Sequence, residues 1–365
     1  MSIVITIITA FASGVLGSAL GAVGAVVMTA VAALVGIVGN ICGADINLVN
    51  EIAFGMFLGP QVSFGPACCA AAYARKRGYL ESSKDIFTPL ISLNHHDTLV
   101  IGGVFAVLGW YLNVGISKVI PGVLDTVALT VVLISILARI IFGDHGLRSA
   151  IGIVPEGARR YSLFCKQVWL PYQTAASGGE MILIGGCVGG VSGYIVQLFC
   201  SKAAETGNTA LIDASTLPVW AIAVICFLLN ASGLKIPVYH HIGLVAGYAA
   251  RMAYLGGGTG ESSVIWGVAF GILAVYAGDL LAKTFMVFGE GFVDPPSMAI
   301  AVCSILPLFL FPKLGIDQPQ NPLNIAIPAI IIVGGVVIGL YQERKYNTAE
   351  EKQKACCGGT LEKSN

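Results

Sequence analysis

Apolar residues run through this chain in blocks too long for a soluble fold. From Ile3 to Ile41 almost no polar side chain interrupts the run. Because about 20 apolar residues cross a bilayer, that stretch predicts two tightly packed helices or one long tilted one. Weakly polar turns then separate the blocks 52–74, 86–114, 119–142, 181–200, 217–232, 236–255, 264–288, 298–311 and 323–341. The pattern predicts an all-α polytopic transmembrane helical bundle of ten or eleven segments. The first run lacks a positively charged leader, so it reads as a membrane span and not as a cleaved signal peptide.

Some blocks are broken in a particular way. Gly59-Pro60-Gln61 and Gly65-Pro66 interrupt the second, and Asn94-His95-His96-Asp97 sits inside the third. Irregular backbone at membrane depth is tolerated where it lines a cavity or is buried in protein, and paired broken helices are a common device of transporters. Residues 59–102 are therefore the leading site region, with counterparts at Pro237 to His241 and at Asp294-Pro295-Pro296.

The polar stretches set the domain organisation. A first membrane half spans residues 1–142, a polar linker 143–178, a second half 179–341 and a charged tail 342–365. Arg75, Lys76, Arg77 and Lys84 form one basic cluster. Arg148, Arg159, Arg160 and Lys166 mark the linker, and Arg344, Lys345, Lys352, Lys354 and Lys363 mark the tail. Two segments separate the first cluster from the second and six the second from the tail. All three then lie on one side, the cytoplasmic one by the positive-inside rule, and this puts the C-terminus in the cytoplasm.

The halves invite a comparison. One register sets His95-His96 on His240-His241 but needs a ten-residue deletion. Another sets residues 13–25 on 184–196, Phe64–Arg75 on His240–Arg251 and Asp97 on Asp294, with about twenty extra residues before Asp294. The second places interruption opposite interruption, so an internal repeat is expected, its handedness open. Gly17 to Gly21, Gly185 to Gly189 and Gly189 to Gly193 have the spacing that lets helix backbones approach closely, and ordinary bundle packing accounts for them.

Composition sharpens the class. The 365 residues are 56% hydrophobic and 11% charged, with mean hydropathy +0.83; an ordinary soluble domain is roughly 25% charged. Twenty Lys and Arg balance twenty Asp and Glu, so no electrostatic basis for nucleic-acid binding exists. Six of the ten cysteines (Cys68, Cys69, Cys187, Cys200, Cys226, Cys303) lie in apolar runs and read as reduced core residues.

Ionisable groups inside a bilayer cost about 2.5–3.5 kcal/mol on insertion scales, which makes Asp97, Glu180, Glu261, Asp279, Lys283 and Asp294 candidates. His95 and His96 beside Asp97 suit proton or cation coupling. The other reading of Asn94 to Asp97 is a polar helix cap with histidines at headgroup level. Asp294 reads as an N-cap followed by prolines, which suffices to explain it; the functional alternative is a carboxylate facing Asp97 across a cavity. His240 and His241 read as interfacial anchors or as further ligands. The four paired histidines with Asp97 and Asp294 would offer a mixed nitrogen and oxygen donor set for a divalent cation; no other cofactor is implied. Gly256 to Ser263 lacks the lysine of a phosphate loop and reads as a hinge or re-entrant turn with Glu261 as a gate. Asp144, His145 and Arg148 could gate access or dock a partner, or form a solvated loop with a local Asp–Arg pair. Cys356-Cys357 lacks zinc-site spacing, and no hydrolase, metalloprotease or dinucleotide motif occurs, so no enzyme is expected.

With its interruptions at Asn94-His95-His96-Asp97 and Asp294-Pro295-Pro296, the chain resembles the poorly characterised polytopic proteins of bacteria loosely called permeases. The resemblance implies a multi-pass protein of the bacterial inner membrane, surrounded by lipid. The residues themselves suggest a secondary transporter of a small solute or ion, with Asp97, His95 and His96 facing Asp294 and His240 and with proton or cation coupling. The alternative is a membrane-embedded subunit of a larger complex, with homo-oligomers or partner subunits docked through residues 143–178.

Overall fold

The computed structural model describes residues 2–165 and 167–356, with side chains to residue 350; the expectations on Lys166, Cys357 and Lys363 fall outside them. The described residues form no strand. In chain order the helices are α1 (Ile3–Leu20), α2 (Ala22–Ile41), α3 (Phe64–Lys76), α4 (His96–Val119), α5 (Thr126–Phe142) and α6 (Gly178–Thr206). There follow α7 (Ala210–Ala231), α8 (His240–Leu255), α9 (Gly260–Met286), α10 (Pro295–Lys313) and α11 (Leu323–Cys356). Eight of the eleven are long and apolar enough to cross a membrane; α3, α5 and α8 are shorter. The protein is an all-α polytopic helical bundle.

Local sequence explains the segmentation. Ile3 to Ile41 forms two helices because Gly21 adopts φ 79 and sits against the Thr88 carbonyl, where a side chain would collide. The buried face of α1 is a stripe of small residues, Thr6, Ala10, Ser13, Gly14, Gly17 and Ser18, at helical spacing. Its opposite face exposes Ile3, Val4, Ile8 and Leu16, a surface suited to lipid. Gly14 meets Gly102 of α4, as Gly185 and Gly189 of α6 meet Gly271 and Gly267 of α9.

After α2 the chain turns back into the bundle without a regular helix. A π-turn at Val49–Ala53 leads into turns that run to Ser63. Side chains of the flanking helices supply the missing bonds: Ser13 Oγ donates to the Met56 carbonyl at 2.6 Å and Thr29 Oγ1 to the Leu58 carbonyl at 2.6 Å. This is the break that the glycines and prolines of 59–66 predict, and it is buried in protein.

The other predicted break is different. Residues 77–95 lie at one end of the bundle, where Val23 N donates to the Ile86 carbonyl. Leu90–Leu93 is a single 3-10 turn, Asn94 is left-handed (φ 57), and α4 begins at His96. Asn94 to Asp97 is therefore a helix start and not an interruption at depth. The apolar run 86–93 imitates a membrane block because it packs on helix ends.

The end at which α1 finishes, here the lower end, gathers the three basic stretches. Arg75 of α3 pairs with Asp144 after α5, and Gly179 at the start of α6 donates to Glu343 of α11. Two segments, α4 and α5, separate the first from the second, and six, α6 to α11, the second from the third, as the sequence predicts. At the upper end Asn208 donates to the Asn40 carbonyl, and Gly256 lies against Asp317.

Packing follows one scheme twice. Helix α4 packs on α1, α3 and α5, and α9 packs on α6, α8 and α10. Helix α3 also touches α1, α2 and α5, and α8 touches α6, α7 and α10. The two sets meet chiefly where α2 lies against α7 and α5 against α10. Both pairs are antiparallel. Asn40 closes α2 beside the entry to α7. Asp125, at the start of α5, donates its N–H to Ser304 deep in α10, whereas Val132 packs with Val293 and Met298 at the start of α10.

Candidate functional site

A cavity of about 620 Å3 occupies the seam between the two sets of helices, in the size range of small-molecule sites. Its walls follow α2 from Val23 to Asn40, which at 1.5 Å per residue is about 25 Å. Lower-end residues Lys84 and Trp169 and upper-end residues Asn47 and Asp213 all border it. Most of the wall is apolar, with Phe54 and Trp220 packed against each other at 5.3 Å.

Two helices begin at this cavity, each capped by an aspartate. Asp125 caps α5: one oxygen accepts from Ala128 N at 2.8 Å and the other from the Tyr248 hydroxyl at 2.7 Å. Asp294 caps α10, as its two prolines predict, with one oxygen accepting from Ser297 N at 2.9 Å and from Ser297 Oγ at 2.5 Å. Both carboxylates thus sit at positive helix ends. Asp294 is 6% exposed, and among the described residues no cationic side chain lies within 4 Å of it.

Three cations also border the cavity. Lys84 donates to the Val287 carbonyl at 2.8 Å, and burial followed by the nearby Arg139 pulls its ammonium below the usual lysine range. Lys235 is exposed at the lower end. Arg251, half-buried in the fourth turn of α8, lies 5.6 Å over the Tyr248 ring.

Of the residues singled out from sequence, Asp294 and His240 reach the cavity. His240 and His241 open α8 but are 7% and 0% exposed, so they are core residues and not interfacial anchors. Neither ring nitrogen of His241 has a hydrogen-bond partner, and Nε2 abuts Gly278. Asn94, His95 and His96 are exposed at the lower end. His95 stacks on Tyr79, and Asp97 accepts from Tyr73 at 2.8 Å and Tyr79 at 3.4 Å. Asp97 therefore does not face Asp294 across the cavity, and the two histidine pairs are not brought together. Among the described residues no group of three or more His, Cys, Asp or Glu is placed to hold a metal.

Glu261 is exposed in the first turn of α9 at the upper end, beside the short connection from α8. Asp279 pairs with Lys283 at 2.6 Å, both buried, and accepts from Ala175 N at 3.2 Å, which fastens the linker to α9. Asp144 is bound not by Arg148 but by Arg75 at 2.6 Å and Lys76 at 2.8 Å. Those two cations hold its carboxyl down at about 2. His145 lies 3.3 Å from Glu290, and Arg148 is exposed. Cys68, Cys69, Cys200 and Cys303 are buried free thiols as expected, whereas Cys187 is exposed on α6.

A family model matches residues 1–157 and 155–316. The chain belongs to a family of unknown function (DUF7973). The two matched stretches of this DUF7973 chain meet inside the 143–177 linker, and α1 to α10 lie within them. No curated protein and no solved structure matches.

Sequence reading missed Asp125, Tyr248 and Arg251 at the cavity. The signal available for Asp125 and Arg251 was the one used elsewhere, an ionisable group inside an apolar block.

Proposed function

We propose that the protein is a secondary transporter, a permease for a small solute whose route is the cavity between two five-segment units of opposite orientation. The observation that carries the reading is the cavity's extent: one space borders both ends of the bundle and runs along the seam between the two sets of helices. Midplane sites at the seam of related halves are the architecture of many secondary transporters.

The duplication is supported by packing. Helices α1 to α5 correspond in order to α6 to α10, each with the same neighbours, and the pairs that touch across the seam are equivalent helices lying antiparallel. Antiparallel equivalents and an odd number of segments per unit both fit an inverted repeat. The correspondence favours the register that sets Phe64–Arg75 on His240–Arg251. It replaces one pairing: Asp294 corresponds to Asp125, the other N-cap, and Asp97 to Glu261. The rival register sets the start of α4 on the start of α8, helices with different neighbours.

Coupling to protons or another cation would use Asp294, the buried carboxylate at the cavity wall. The positive-inside rule orients the molecule with its lower end, and so the C-terminus, in the cytoplasm of a bacterial inner membrane. The reading as a subunit that docks partners through residues 143–178 has less behind it. Arg160 is committed to the Lys283 and Thr284 carbonyls, Tyr172 to Ile236 and Gln173 to Val238, all within the chain.

The test uses Val26→Cys and Leu244→Cys, two cavity positions, in a background lacking Cys42, Cys165, Cys187, Cys226, Cys356 and Cys357 and reconstituted in liposomes. A small water-soluble methanethiosulfonate reaches both cysteines in a hydrated transport path. If neither reacts from either face, the bundle is dry and the permease reading is wrong.

A further inference from the structure

The charges around the cavity are unequally satisfied, and the inequality identifies a ligand class. Each acid in the interior part of the wall is answered by donors. Asp125 holds Ala128 N and the Tyr248 hydroxyl, and Asp294 holds the N–H and hydroxyl of Ser297. Asp213 and Lys235 stand exposed at opposite mouths, and Lys84 is spent on the Val287 carbonyl. Arg251 differs. Its side chain lines the cavity, yet among the described residues no carboxylate lies within 4 Å of it and its contact is with the face of the Tyr248 ring.

A half-buried guanidinium on a largely apolar cavity wall has no counter-charge within 4 Å among the described residues, and its planar fork matches a carboxylate through two parallel hydrogen bonds. The corresponding position in the first unit shows the answered form, because Arg75 is paired with Asp144. Tyr248 holds Arg251 in place from below while its hydroxyl is occupied by Asp125.

We propose that the cavity binds a small organic anion, with Arg251 receiving its carboxylate and the apolar wall around Phe54 and Trp220 receiving its body. The proposal rests on the permease reading and names its substrate class.

The experiment compares three probes of one shape, benzoate, benzyl alcohol and benzylammonium, on the full chain in liposomes. The readout is protection of Leu217→Cys, on the cavity wall one turn before Trp220 and beside the α8 turn that precedes Arg251, from the thiol reagent. Benzoate is expected to protect at a concentration at least 10-fold lower than either of the others, a comparison that needs no change at Arg251. In Arg251→Gln the advantage of benzoate over benzyl alcohol disappears, and in Arg251→Lys part of it returns. Equal or better protection by benzylammonium overturns the proposal, as does an undiminished benzoate preference in a folded Arg251→Gln. A reactive Leu217→Cys that no probe protects also overturns it while leaving the permease reading standing; failure of both Val26→Cys and Leu244→Cys to react removes both.

Discussion

Asp97, Asp125, Asp144 and Asp294 all stand at helix ends or turns, and what separates them is the partner each has found. Asp97 has two tyrosine hydroxyls, Asp125 and Asp294 have helix starts, and Asp144 has two full cations. For Asp144 the consequence is a pH dependence. Hydrogen bonds from Lys76 and Arg75 lower its carboxyl from 3.8 to about 2 in the folded protein. A depressed folded value stabilises above the unfolded one, so the contribution is complete above about pH 4 and lost as pH falls to about 2. The site is at the solvent-facing end, where screening keeps such pairs weak. Asp144→Asn is therefore expected to melt slightly below the parent at pH 7 in detergent, with the gap closing between pH 4 and pH 2. A gap that stays constant across that range would show that the pair holds nothing together through charge.

At the scale of elements, glycine sets how closely the helices approach. A Cβ at Gly189 would overlap the Gly267 carbonyl of α9, whereas one at Gly186, a turn away, would have ordinary contact with Ile272 at 3.9 Å. Gly189→Ala must push α6 and α9 apart, an overpacking cost of about 1–3 kcal/mol, while Gly186→Ala should stabilise by up to about 1 kcal/mol, because alanine favours the helix over glycine. Thermal unfolding of the two variants in one detergent checks this, and equal melting points would mean the α6–α9 contact is loose. These spacings were legible in the sequence, as were the broken entry to α3 and the Asp294 cap, because each depends on neighbours a few residues away, whereas the run from Ile3 to Ile41 read equally as one helix or two. The apolar run 86–93 was misread since hydropathy registers burial without distinguishing a helix from a turn lying across helix ends. Asp125 and Arg251 went unmarked for another reason: their significance comes from Tyr248, 123 residues from Asp125 along the chain, and from a cavity that exists only once two distant sets of helices meet.

The whole molecule distributes its lysines and arginines asymmetrically, and this gives the orientation a direct test. Among the described loops and helix ends, Arg75, Lys76, Arg77, Lys84, Arg148, Arg159, Arg160, Lys235, Arg344 and Lys345 gather at the lower end, while the upper end has Lys118, Lys202, Arg251 and Lys313. Basic loops resist transfer across the membrane, so the lower end should remain in the cytoplasm and the start of α1 outside. Two native thiols report on this without any insertion. Cys42 is exposed just after α2 at the upper end, and Cys165 is partly exposed in the lower-end linker. A membrane-impermeant maleimide applied to intact cells is expected to modify Cys42, with loss of that labelling in Cys42→Ser, and to reach Cys165 only after permeabilisation. Cys187, exposed in the middle of α6, faces lipid and should stay unlabelled in both conditions, since a thiolate does not form in hydrocarbon. Labelling of Cys165 before Cys42 would invert the molecule and place the linker, its clamp on α9 and the Lys84 side of the cavity outside the cell.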